Sequence, residues 1–172
     1  MKAVAVIAGL AVALLLQTTL SGMALDAGTK VNFVLVAVVL IALMLGPVTG
    51  LLSGMVGGIV QDAVAGGIVG IGGIAKTVVG FVVGIFGSQF IVSQPLPRLV
   101  IFVGGTFVHE LCFQALYALA EAHGFRFHYR EVLTQALVNG VIGIAFFYVM
   151  ESAPGIKARH EARRASFGRR RY

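Results

Sequence analysis

Glycine recurs every four residues in a stretch that is otherwise apolar enough to lie in a lipid bilayer. Residues four apart share one face of a helix, so the stretch 46–64 predicts a smooth, small-residue face. Its members are Gly46, Gly50, Gly54 and Gly58. In a bilayer, small residues at this spacing let two helix backbones approach closely and gain dispersion contacts.

A second small-residue face follows in residues 71–92. Its members are Gly73, Thr77, Gly80, Gly84 and Ser88. The pair Gln61-Asp62 and the glycines Gly66-Gly67 separate the two faces. Glycine accepts the backbone conformations of tight turns, so the sequence predicts a closely packed helical hairpin in the middle of a membrane bundle.

The composition places the whole chain in the membrane class. Only 12% of the 172 residues are charged, whereas soluble domains carry about 25%. We therefore expect an all-α, polytopic bundle in residues 1–150, followed by a basic tail in residues 151–172. The single cysteine, Cys112, excludes an intramolecular disulfide.

Six apolar segments predict six transmembrane helices. The second segment is 15 residues long and would reach about 22 Å, which is short of the roughly 30 Å hydrocarbon core. The predicted spans are 3–25, 31–45, 47–64, 71–92, 99–120 and 131–150.

The basic residues predict the orientation. The tail holds seven Lys/Arg against two Glu. With both termini in the cytoplasm, the inner side, counting Lys2 and Arg98, has nine Lys/Arg and the outer side three, as the positive-inside rule requires. No nucleic-acid-binding motif surrounds this tail, so we expect it to be a solvated cytoplasmic end. For the chain as a whole we expect contact with a lipid bilayer and with no nucleic acid.

Ionisable side chains within membrane helices are costly and usually face the bundle interior. Asp62 and Lys76 flank the predicted turn. They could contact a partner or a ligand, or they could form a structural ion pair or a capped turn. Depth can be counted along the fifth and sixth helices from Arg98 and Met150, which are taken to lie at the inner membrane face. This count predicts that Glu110 meets Asn139 and that Gln114 meets Gln135.

Catalytic chemistry has little support in the residue pattern. The His109-Glu110 pair is not followed by the second histidine of a His-Glu-x-x-His zinc motif. The glycines at 70–73 follow no strand, so they do not predict a dinucleotide loop. We expect no catalytic residues, no metal and no cofactor.

The ordered residues of this central stretch resemble the signature of the rod shape-determining protein MreD family. The resemblance covers nearly the whole chain in length and helix number, although not the polar loop 121–130 or the basic tail. Its elements are Gly50-Leu51-Leu52-Ser53-Gly54, Gln61-Asp62, Gly66, Gly70 and the glycine-spaced helix of residues 76–84.

The resemblance implies a non-catalytic scaffold of the cell-elongation machinery in the bacterial inner membrane. Such a protein binds MreC and, through it, works with MreB, RodA and a class B penicillin-binding protein in side-wall peptidoglycan synthesis. A homodimer is also compatible with it. The glycine faces would then contact a partner's helix.

The family is similar in fold to the S components of energy-coupling-factor transporters. The alternative function is therefore an S-component-like subunit that binds a vitamin. Its site would need converging aromatic and polar groups, and the chain has no Trp and four Tyr. An intramembrane enzyme is the third and weakest alternative.

Overall fold

The computed structural model describes residues 2–20, 31–89, 95–121 and 129–151. Within these ranges the chain is all-helical, as predicted, and forms six helices. Five of them are long and apolar enough to cross a membrane, and the second is shorter. They are α1 (Lys2–Leu20), α2 (Phe33–Leu45), α3 (Pro47–Ala65), α4 (Ile71–Gln89), α5 (Pro95–Glu121) and α6 (Tyr129–Glu151).

Local signals account for most of the helix ends. Gly46 separates α2 from α3 with a φ of 95°, and Pro47 then starts α3, where its missing N–H is not needed. Gly66 ends α3 in the left-handed conformation, with a φ of 70°, as glycine commonly does. Asn32 caps α2 by accepting a hydrogen bond from the Leu35 amide at 3.0 Å.

Three predicted boundaries differ from the structure by more than one residue. Helix α2 begins at Phe33, two residues later than expected, α5 begins at Pro95, four residues earlier, and α6 begins at Tyr129, two residues earlier. Proline is tolerated in a first helical turn, so Pro95 and Pro97 do not prevent that start. The predicted extensions to residues 25 and 92, residues 122–128 of the predicted loop 121–130 and residues 152–172 of the predicted tail lie outside the described residues.

Helix α2 lies at the centre of the bundle. Nine of its 13 residues are buried, and each of the other five helices contacts it. Around it, α1 contacts α3, α3 contacts α4, α4 contacts α5, and α5 contacts α6. In the described residues α1 and α6 do not contact each other, so the ring around α2 is open between them.

The packing fits a lipid environment. Large apolar side chains cover the outside, for example Val4, Val100 and Leu119. The interior contains an apolar core shared by α2, α4, α5 and α6, in which Phe102 and Phe147 pack against valines and leucines. Several polar side chains are also buried there, and they form the candidate site.

Candidate functional site

The α3–α4 hairpin is held by glycine on both sides. Gly50 lies against the backbone of Gly80, and Gly58 lies against Gly73. A Cβ atom at Gly54 would lie 2.5 Å from the carbonyl carbon of Lys76, so no side chain fits there. The two helix backbones therefore approach each other closely, as the glycine spacing predicted.

This arrangement changes the interpretation of the small-residue faces. Gly84 lies against Pro47 at the other end of the hairpin, so glycine contacts between α3 and α4 extend from the turn to the start of α3. Gly50, Gly54 and Gly58 are buried. The expectation that the glycine faces bind a partner's helix is wrong, because they are used within the chain.

Asp62 caps the turn that joins the two helices. Its Oδ2 atom accepts hydrogen bonds from the backbone amides of Gly70 (2.9 Å), Gly72 (2.9 Å) and Gly73 (3.3 Å). Gly70 has a φ of 106°, a conformation that favours glycine. Of the roles considered for Asp62, the structure therefore shows that of capping the turn.

Lys76 is bonded to His109 of α5. The Lys76 Nζ atom lies 3.1 Å from His109 Nε2, and His109 Nδ1 lies 3.2 Å from Glu110 Oε1. That carboxylate oxygen also accepts a hydrogen bond from Gln135 Nε2 of α6 at 2.9 Å. Lys76 and His109 are each only 2% exposed. An imidazole thus bridges a buried ammonium and a carboxylate, and the chain of contacts joins α4, α5 and α6.

The bridging role of His109 is not apparent from the sequence. Its ring stacks on Phe113 with centroids 5.8 Å apart, and Phe113 packs on Tyr117 with centroids 5.7 Å apart. The spacing of these three residues, four apart along α5, was visible in the sequence. It placed His109 on a definite helix face but could not show which helix that face meets.

Asn139 organises a second polar cluster one helical turn away. Its Oδ1 atom accepts a hydrogen bond from the backbone amide of Asn32 at 3.1 Å, and its Nδ2 atom lies 3.3 Å from Thr106 Oγ1. Gln17 of α1 accepts from the Phe33 amide at 2.8 Å and donates to the Val31 carbonyl at 3.0 Å. Side chains from α1 and α6 thus satisfy backbone groups at the start of α2, as buried helix ends require.

The predicted pairing of α5 with α6 is wrong by one helical turn. Glu110 meets Gln135, not Asn139, while Gln114 is hydrogen-bonded to Glu110. The predicted pairing assumed that Arg98 and Met150 lie at the same depth, at the inner membrane–water boundary. Instead Arg98 is 1% exposed and its guanidinium lies 3.7 Å above the Phe147 ring. The facing pairs are Arg98–Phe147, Phe102–Gly143, Thr106–Asn139 and Glu110–Gln135.

Taken together, these polar groups bind one another and the ends of helices. In the ranges described, no group of three or more His, Cys, Asp or Glu residues could hold a metal ion. Comparisons of the chain with protein-family profiles, with curated proteins and with solved structures gave no match.

Proposed function

We propose that this protein is a non-catalytic scaffold of the cell-elongation machinery, with the role that MreD has, and that it binds the transmembrane helix of MreC. The observation that carries the proposal is the open side of the helix ring. A scaffold needs a fixed surface for another protein's helix, and α1 and α6 leave a gap between them beside the central helix, one side of which is only half-buried.

The least buried side of α2 can be identified from the exposure of its residues. Phe33, Ala37 and Met44 are only half-buried, whereas most of α2 is fully buried. Their spacing places them on one side of the helix at 3.6 residues per turn. We call this side the α2 flank. It is apolar, and a membrane-spanning helix could lie along it between α1 and α6.

Contacts elsewhere in the bundle hold α2, and with it the α2 flank, in a fixed position. The glycine hairpin fixes α3 against α4, and polar contacts fix α2 against α1 and α6 through Gln17 and Asn139. The residues that resemble the MreD signature form this hairpin and its capped turn. In this role they shape the bundle, and the partner contacts a different surface.

Purification of the full-length protein from a rod-shaped bacterium in mild detergent tests the proposal. MreC, with its associated proteins, should be retained. Depletion of the protein should make the cells round, and wild-type protein should restore rods. Normal rods after depletion, together with no recovery of MreC, would contradict the scaffold function.

A pair of matched variants tests the surface. Ala37→Leu adds bulk to the α2 flank, and it should reduce MreC recovery severalfold and fail to restore rods. Ala63→Leu makes the same change at an exposed position of α3 and should behave as wild type. Equal recovery of MreC by both variants would show that the partner does not use the α2 flank.

One observation favours the alternative, a small-molecule-binding subunit of a transporter. Lys76, His109, Glu110 and Gln135 converge from three helices near the capped turn, beside the aromatic pair Phe113 and Tyr117. This is the kind of polar and aromatic group that such a site needs. Co-purification of a transporter ATPase pair, and loss of vitamin uptake in cells that stay rod-shaped, would favour it over the scaffold.

A further inference from the structure

One polar contact between α4 and α5, from Lys76 to His109, requires a particular protonation state of the imidazole. The ammonium group of Lys76 has three donors and no acceptor, so the His109 Nε2 atom at 3.1 Å must accept. The Nδ1 atom then carries the proton and donates to Glu110 at 3.2 Å. Both contacts exist together only when the imidazole is neutral.

No neighbouring group among the described residues is placed to accept a hydrogen bond from His109 Nε2 if that atom is protonated. Asp62 of α3 faces the cluster, but its Oδ2 atom is held by three turn amides. Lys76 approaches from α4, Glu110 is on α5 itself, and the contact from α6 is the neutral Gln135. A doubly protonated His109 would place two positive charges about 3 Å apart in a site closed to water, where such repulsion is weakly screened.

The two halves of the α4–α5 contact differ in chemistry. The half beside the α3–α4 turn, which we call the turn end, is joined by the Lys76–His109 contact. The other half is apolar, where Gly105 lies against Val79 and Val83, and Phe102 belongs to the core. The turn end is therefore the half of the contact that contains titratable groups.

We propose that the Lys76–His109 contact is a proton-controlled latch, and that acidification opens the turn end of the α4–α5 contact. The closed form requires neutral His109, whereas an imidazole exposed by opening binds a proton near pH 6.5. By linkage, each proton bound only by the open form favours opening. For a single imidazole the ratio of open to closed protein should rise roughly 30-fold between pH 7.5 and pH 5.0.

Distances between spin labels on the full-length protein in phosphatidylcholine nanodiscs test this inference. The labels are attached to cysteines in a Cys112→Ala background. Ile74→Cys and Leu111→Cys report on the turn end, because these exposed positions lie two residues from Lys76 and His109. Phe86→Cys and Val100→Cys report on the apolar half. The turn-end distance should lengthen at pH 5.0, and the other distance should stay constant.

Two variants test whether His109 and Lys76 are responsible for the opening in acid. His109→Gln keeps one acceptor and one donor but does not titrate, so it should stay closed at both pH values. Lys76→Met removes the ammonium, so protonated His109 can pair with Glu110, and acid should no longer open the contact. The proposal is overturned if the native turn-end distance is the same at both pH values, or if either variant opens in acid as the native protein does.

Discussion

Gly54→Ala isolates the energetic cost of one methyl group between α3 and α4. Its Cβ would lie 2.5 Å from the carbonyl carbon of Lys76 and 2.8 Å from the Thr77 nitrogen, whereas ordinary contacts are 3.4–4 Å. The helices must therefore separate locally by about 1 Å, which forfeits a quarter to a half of the dispersion energy of the facing atoms. Because the obstacle is backbone, we expect the upper end of the overpacking range, about 3 kcal/mol.

Two other glycines serve as matched controls. At Gly57 a Cβ would meet only side-chain ends, Leu10 Cδ2 at 3.0 Å and Val34 Cγ1 at 3.2 Å, so Gly57→Ala should cost less than about 1 kcal/mol. At Gly104 nothing lies within 4 Å. Gly104→Ala should be neutral or stabilising by up to about 1 kcal/mol, because alanine favours helix.

Reversible unfolding by SDS in lipid bicelles, followed by circular dichroism, gives the free energy of unfolding for each variant. A loss of about 3 kcal/mol corresponds to more than a 100-fold change in the unfolding equilibrium constant. The reasoning fails if Gly54→Ala and Gly104→Ala agree within about 0.5 kcal/mol, since the α3–α4 backbones would then not be in contact.

Three further outcomes follow from the described contacts and the charge pattern. Asp62→Leu removes the acceptor of three turn amides, so it should lower the free energy of unfolding by about 2–3 kcal/mol and speed hydrogen exchange at residues 70–73. Asp62→Asn should lower it by less than half as much, and equal losses for the two variants would contradict the capping role. Asn139→Leu leaves the backbone amide of Asn32 without its acceptor and should lower the free energy of unfolding, measured by the same SDS unfolding, by about 1–2 kcal/mol. An unchanged free energy would show that this hydrogen bond is dispensable. A cysteine placed by Ser166→Cys should resist an impermeant thiol reagent added to intact cells, and labelling from outside would reverse the predicted orientation.

The helices and the α3–α4 hairpin follow from features of the sequence alone. Apolar segments of membrane length need internally satisfied backbone groups, which helices provide. Pro47 and Gly66 act locally, so the ends of α3 were predicted within one residue. The glycine period of four fixed which side of α3 is smooth, because helix geometry alone relates spacing to direction.

The register of α5 against α6 was decided only by the tertiary structure. Counting depth from a presumed water boundary needs one correct anchor. Arg98 was taken as that anchor, but its guanidinium is buried over Phe147. A basic side chain can be buried where an aromatic ring faces it, and a shift of one turn leaves the same helix faces in contact.

The tertiary structure also decided which surface meets which. Helix periodicity shows that Lys76 and the glycines each have a definite direction on α4, but not what lies opposite. Opposite Lys76 the structure has His109, and opposite the glycines of α4 it has those of α3. The reason is that helices pack as nearly rigid rods, and their rotation and sliding depend on all the contacts at once, which no single segment encodes.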